Sequence, residues 1–268
     1  MLHADEHTGF FFYLIMKYKN LFFDLDDTLW AFSLNARNTF EEIYHKYQFN
    51  RYFDSFHHFY SIYQDINVKL WAEYGDGKIT KQQLNNERFY YPLKSVGVFD
   101  ETLAQTYSAN FFELIPTKSA LMPHAKEVLE YLAPHYNLYI LSNGFRELQF
   151  RKMHSAGIDG YFKKVILSED IGVMKPWPEI FHFALSATQS DLNESLMIGD
   201  SWEADITGAH GIGMHQLYYN VKGTADAPFQ STYEVSSLKE VMGILLKETP
   251  GPHKMYKKKY HQVSPILQ

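Results

Sequence analysis

Residues Lys19 to Trp30 read KNLFFDLDDTLW. The apolar run Leu21 to Phe23 has no polar alternation, as expected of a strand buried on both faces of a sheet. The acidic cluster that ends it, Asp24, Asp26 and Asp27, sits where the chain leaves the sheet. Open parallel sheets bind their ligands at that edge, beyond the carboxyl ends of the strands. Asp is a good turn former, which accounts for one of the three. Three crowded carboxylates repel one another and call for a cation nearby.

Working outward, the same pattern returns after Pro116. Tyr136–Leu141, Lys164–Leu167, Leu196–Ile198 and His215–Tyr219 read as strands. Helical stretches over Ala125–Leu132, Arg146–Ala156, Pro178–Thr188 and Ala204–His210 alternate with them. Such alternation predicts βαβ units and a parallel sheet. Between Ser33 and Leu114 the periodicity is helical throughout, and Thr80 is placed to cap one of the helices. The expected organisation is an α/β core over 16–32 and 116–235, with a helical domain over 33–115 inserted after the first strand. Residues 1–15 are expected to be an N-terminal extension before Met16, and the lysine-bearing 250–268 a flexible, solvated tail.

The chain has 268 residues, and at roughly 150 residues per domain this allows one large domain or two modest ones. A hydrophobic content of 46% against 21% charged residues excludes a disordered chain. Aromatic residues reach 17%, implying a large aromatic core. With no cysteine, thiolate metal sites, disulfides and cysteine nucleophiles are excluded. A net charge of −6 argues against a nucleic-acid polymer as partner. Apolar runs fall short of the roughly 18 residues of a membrane helix, and a cytoplasmic protein is expected.

Three more strand ends carry matching chemistry. Ser142 is followed by Asn143 and Gly144 at a helix start, where backbone N–H groups can receive an anion. Lys175 lies in GVMKP, and Asp200 and Asp205 lie in GDSWEAD. Each has an ordinary explanation alone, as a cap, a surface lysine or a turn residue. Together they bring carboxylates, a hydroxyl and an ammonium to one edge. Hard oxygen donors favour Mg²⁺ over zinc, and that set suits a phosphoryl group.

The four blocks FDLDDTLW, LSNG, GVMKP and GDSWEAD resemble the motifs of the haloacid dehalogenase-like superfamily, in that family's order. Asp24, Ser142, Lys175 and Asp200 are separated by 118, 33 and 25 positions. The resemblance implies a Rossmann-like core with an inserted helical cap, covering about Lys17 to Tyr219. It implies Asp24 as nucleophile, Asp26 as general acid and base, Ser142 as a phosphoryl ligand and Lys175 as the neutralising cation. It further implies Mg²⁺ held by Asp24, the main chain of Asp26 and Asp200, with Asp205 orienting Lys175 or a metal-bound water.

SNGFRELQFRKMHSAGIDGYF and the stretch LWAEYGDGKITKQQLNNERF are similar to a subgroup of pyrimidine nucleotidases. That likeness makes Asn143, Gly144 and Arg88 candidate substrate contacts. It implies a small phosphate monoester, a nucleotide, as substrate, and a monomer or homodimer. Trp30, Phe32, Trp71 and Phe145 are candidates either to stack on a base or to fill the core. Trp202 and His124 stand where the family commonly has small residues. A sugar-phosphate or phosphoglycolate phosphatase is the alternative within the family. Asp26 argues against a dehalogenase, which has no alkoxide to protonate. The full motif set argues against an inactive phospho-ligand-binding protein.

Overall fold

The computed structural model describes residues 17–221, 223 and 227–247. The expected N-terminal extension and basic tail lie outside them. Among the described residues, six parallel strands form one sheet: β1 (Asn20–Phe23), β2 (Asn137–Ser142), β3 (Lys164–Leu167), β4 (Ser195–Gly199), β5 (His215–Tyr219) and β6 (Tyr233–Val235). Their order is β3-β2-β1-β4-β5-β6. The chain steps one way from β1 through β2 to β3, then returns to the far side of β1. The crevice therefore opens beside β1.

Period-2 alternation divides the core. Leu21 and Phe23 face a large cluster with Leu138, Ile140, Leu196 and Ile198, while Phe22 faces the opposite one with Tyr139, Leu141 and Met197. α5 (Ala125–Leu132) and α9 (Lys239–Lys247) cover the first face through Val128, Leu129, Val241 and Leu245. α7 (Pro178–Thr188) covers the second through Ile180, Phe181 and Ala184. Strand β6 and helix α9 were not expected. The helix expected from Ala204 begins instead as a π-helical turn over Trp202–Ile206 and continues as α8 (Thr207–Gly211).

The insert between β1 and β2 carries α1 (Phe32–Lys46), α2 (Phe56–Gly75), α3 (Lys81–Ser95) and α4 (Glu101–Leu114). Thr80 caps α3 in a reciprocal pair with Gln83. Much of the aromatic content is used here: the Phe40 ring centroid lies 4.1 Å from Tyr63 and 4.4 Å from Phe111. Among the described residues no helix is long and apolar enough to cross a membrane.

Candidate active site

Strand register assembles the site. Phe23 pairs with Ile140 of β2 and Ile198 of β4, so Asp24 leaves the sheet level with Leu141 and Gly199. Lys175 reaches this point from the loop after β3. Its ammonium donates to Asp24 Oδ1 at 2.6 Å, Asp205 Oδ1 at 2.5 Å and the Leu141 carbonyl at 2.7 Å. An ammonium has three donors, and all three are used, so its charge acts on Asp24 by direct contact. The backbone of that loop is fixed by Asn143, whose side chain accepts from Lys175 N at 2.8 Å and donates to Lys175 O at 3.0 Å.

Asp200 follows β4, and its Oδ1 accepts from the Thr28 hydroxyl at 2.9 Å. Asp205 accepts at both oxygens, from Lys175 and, at 3.1 Å, from Ser201 N. The close approach needs Gly199, where a Cβ would fall 2.2 Å from Asp205 Oδ2. Oxygens of Asp24, Asp200 and Asp205 lie within 4.8 Å of one another. Among the described residues, Oδ2 of Asp24 and of Asp200 takes part in no hydrogen bond. Burial pushes Asp24 well above the usual carboxylate range, against the pull of Lys175, and the charge of Asp205 adds to the rise. Burial and the charge of Asp205 push Asp200 up to about 7. One lysine thus leaves this carboxylate cluster under-compensated. Its all-oxygen donor set fits a hard divalent cation.

Of the remaining acidic residues, Asp27 accepts from Ser33 N at 2.8 Å and from the Ser33 hydroxyl at 2.5 Å, serving the start of α1. Asp26 faces the pocket. It is held by two residues of α6 (Arg146–Ser155) that sequence reasoning missed, Gln149 and Lys152. The Ser142 hydroxyl oxygen accepts from Gln149 Nε2 at 2.7 Å and from Gly144 N at 3.1 Å. Both lone pairs are occupied, so its proton is left for a ligand's oxygen.

A cavity of about 260 Å³ joins these groups to the helical insert, lined by Asp24, Asp26 and Ser142 of the core and by Asn67, Trp71 and Arg88 of the insert. Arg88 is buried; it donates to Asn85 Oδ1 at 2.6 Å and Asn67 Oδ1 at 3.4 Å, and among the described residues it pairs with no carboxylate and its Nε has no partner. Burial lowers its pKa. Trp71 stacks on Phe145 at 5.1 Å and 26°, and Lys81 of α3 lies 4.1 Å above the Phe145 ring. Both rings line the cavity, as does Phe32. Trp30 is fully buried in the core, while Trp202 packs on Tyr218 and Phe229. His124 pairs with Glu127 at 2.9 Å.

A parallel sheet of this order, with a buried lysine-held carboxylate at its central strand end and further acids beside it, is a Rossmann-like α/β fold with a carboxylate-centred site. The chain belongs to the haloacid dehalogenase-like hydrolase family, whose model matches residues 18–213. It is 30% identical over 234 residues to "Pyrimidine 5'-nucleotidase YjjG" of Escherichia coli, covering 87% of this chain and 100% of that one. It is 32% identical over 210 residues to "Glyceraldehyde 3-phosphate phosphatase" of Pyrococcus abyssi, covering 75% of this chain and 81% of that one. Its fold is similar to the crystal structure of the HAD-hydrolase YfnB of Bacillus subtilis bound to magnesium. That match has a TM-score of 0.77 and 26% identity, over 86% of this chain and 99% of that one.

Proposed function

We propose that this chain is a Mg²⁺-dependent phosphomonoesterase acting on pyrimidine nucleoside 5′-monophosphates. The observation that carries the reading is that Asp24 and Asp26 line one cavity together with aromatic rings and a buried arginine. The helical insert acts as the cap over the site.

Asp24 attacks phosphorus, and the bond from phosphorus to the ester oxygen breaks with its electron pair going to that oxygen. Asp26 protonates the leaving alkoxide. It then takes a proton from water, which attacks the aspartyl-phosphate and releases inorganic phosphate and free Asp24. Ser142 donates to a phosphoryl oxygen. Lys175 favours the ionised form of Asp24 in opposition to its burial, and Asp205 orients Lys175. Mg²⁺, when held by Asp24, Asp200 and the Asp26 main chain, supplies positive charge to the phosphoryl oxygens and the carboxylates.

The metal is tested by thermal unfolding of EDTA-treated protein. At pH 8, Mg²⁺ at about 100 times its Kd stabilises by about 2.7 kcal/mol. For a chain of this size that raises Tm by roughly 5–10 °C. The sign with pH follows from Asp200, which titrates at 3.8 when unfolded and about 7 when folded. The folded state holds the proton longer, so metal-free stability falls as pH rises from about 4 to 7, by roughly 4 kcal/mol from this group. The Mg²⁺ gain therefore shrinks at pH 5.5, and it disappears in Asp200→Asn. A Tm indifferent to Mg²⁺ at pH 8 overturns the metal assignment.

Arg88 lines the cavity and its guanidinium is placed to donate to an exocyclic carbonyl of a pyrimidine, with Trp71 and Phe145 as the stacking wall. The relative named a pyrimidine 5'-nucleotidase supports this; the relative named a glyceraldehyde 3-phosphate phosphatase supports a smaller substrate. A panel of phosphate monoesters decides between them: preference for UMP, dUMP or dTMP is expected, and preference for a triose or hexose phosphate overturns the nucleotide reading. Arg88→Met is expected to raise KM for UMP by about 10–100-fold, the range of a hydrogen bond to a charged donor. Its kcat/KM for p-nitrophenyl phosphate, which offers no base carbonyl, should stay within about threefold.

A further inference from the structure

Gln149 and Lys152 lie three residues apart on α6, hence on one face of the helix. Both are buried, Lys152 at 3% exposure and Gln149 at 0%. Lys152 Nζ donates to both oxygens of Asp26, at 2.8 and 3.0 Å, and lies 4.8 Å from the Trp30 ring and 5.1 Å from the Phe32 ring. Gln149 Nε2 bridges Asp26 Oδ2 at 3.0 Å and Ser142 Oγ at 2.7 Å. The amide occupies the space a side chain at position 144 would need: a Cβ there would fall 2.1 Å from Nε2. Burying an ammonium costs several kcal/mol unless it is paired, and among the described residues its one carboxylate partner is Asp26, which remains partly open to the cavity.

We propose that Lys152 and Gln149 are positioning residues that clamp Asp26 in the orientation needed for proton transfer to the leaving alcohol. Gln149 extends the clamp to Ser142, so the proton-transfer group and the phosphoryl-binding hydroxyl keep a set separation. Proton transfer in the transition state demands such placement, since loss of orientation alone lowers rate. The inference rests on Asp26 as the acid and base of the proposed phosphatase.

The test compares kcat/KM across phosphate monoesters of rising leaving-group pKa, from p-nitrophenyl to alkyl. A general acid contributes about 10²–10⁴-fold where the leaving group needs a proton. Lys152→Met should therefore lose about tenfold on p-nitrophenyl phosphate and about 10²–10³-fold on alkyl phosphates, steepening the dependence on leaving-group pKa. Asp26→Asn should show the same slope, and the double variant should be no worse than Asp26→Asn within about twofold, as expected of residues acting through one group. Lys152→Arg should recover part of the slope, and Gln149→Met should reproduce a weaker version of it should Lys152→Met fold poorly. A uniform loss across the series, or losses that multiply in the double variant, overturns the clamp. Full activity of Asp26→Asn on alkyl phosphates overturns the role of Asp26 itself, and the clamp with it. Loss in Asp26→Asn with Lys152→Met and Gln149→Met unchanged overturns the clamp alone.

Discussion

Asp24→Asn is expected to lower turnover of p-nitrophenyl phosphate by at least about 10⁴-fold, the scale of removing a covalent nucleophile. The carboxamide keeps the shape of the carboxylate but cannot attack phosphorus. The fold should survive. Asp24 sits at 8% exposure, and burial holds its carboxyl well above the ordinary range, so the ionised group is a strain on the native state. Lys175 keeps Asp205 and the Leu141 carbonyl as partners after the change. Tm is therefore expected to stay within a few degrees of the parent or to rise, a common relation between activity and stability at such sites. Turnover above about 1% of the parent by a folded Asp24→Asn protein would show that another group attacks the phosphorus.

The strand ends at Phe23, Ser142 and Gly199 were legible because each follows a short apolar run with polar residues just past it. Lys164–Leu167 and His215–Tyr219 also coincide with observed strands. β6 is three residues long at the sheet edge, with only Val235 buried, too short to show a period. α9 carries Gly243 and spans nine residues, near the limit at which periodicity can be read. Within the site, the sequence pointed to Asp24, Asp26, Ser142, Lys175, Asp200 and Asp205, and to Asp205 as a partner of Lys175, but not to Gln149 and Lys152, which hold Asp26 and Ser142. Lys152 meets Asp26 across 126 positions, and Gln149 meets it across 123, contacts set by how α6 lies on the sheet. Arg88, a candidate contact by resemblance, is buried and lines the cavity, while its neighbour Glu87 faces away and pairs with Lys94 at 2.7 Å. Asp27, written beside Asp26, points the other way to Ser33 because its backbone takes a left-handed conformation, φ 60°.

Lys175→Met should be the most damaging single substitution for stability. The ammonium is the shared counter-ion of Asp24 and Asp205, at 2.6 and 2.5 Å, in a place where all three side chains are nearly sealed from water. Removing one partner of a buried ion pair leaves uncompensated charge and costs about 3–5 kcal/mol. For a chain of this size that lowers Tm by roughly 6–20 °C. Lys175 itself titrates above its ordinary 10.5 because the two aspartates outweigh the opposing effect of burial. Its contribution is thus fully present below pH 10.5 and is lost only as pH climbs through the raised folded value, so in the parent it is constant between pH 5 and 9. In Lys175→Met the deficit should instead grow from pH 5 to pH 8, because the unfolded carboxylates ionise freely while the buried ones resist. Adding Asp205→Asn should restore part of the lost Tm by removing one orphaned charge, but no activity, since Asp24 still lacks the cation that favours its ionised form. Equal Tm values for Lys175→Met and its double variant at pH 8 would mean that the lysine stabilises the fold through packing of its stem and not through the two carboxylates.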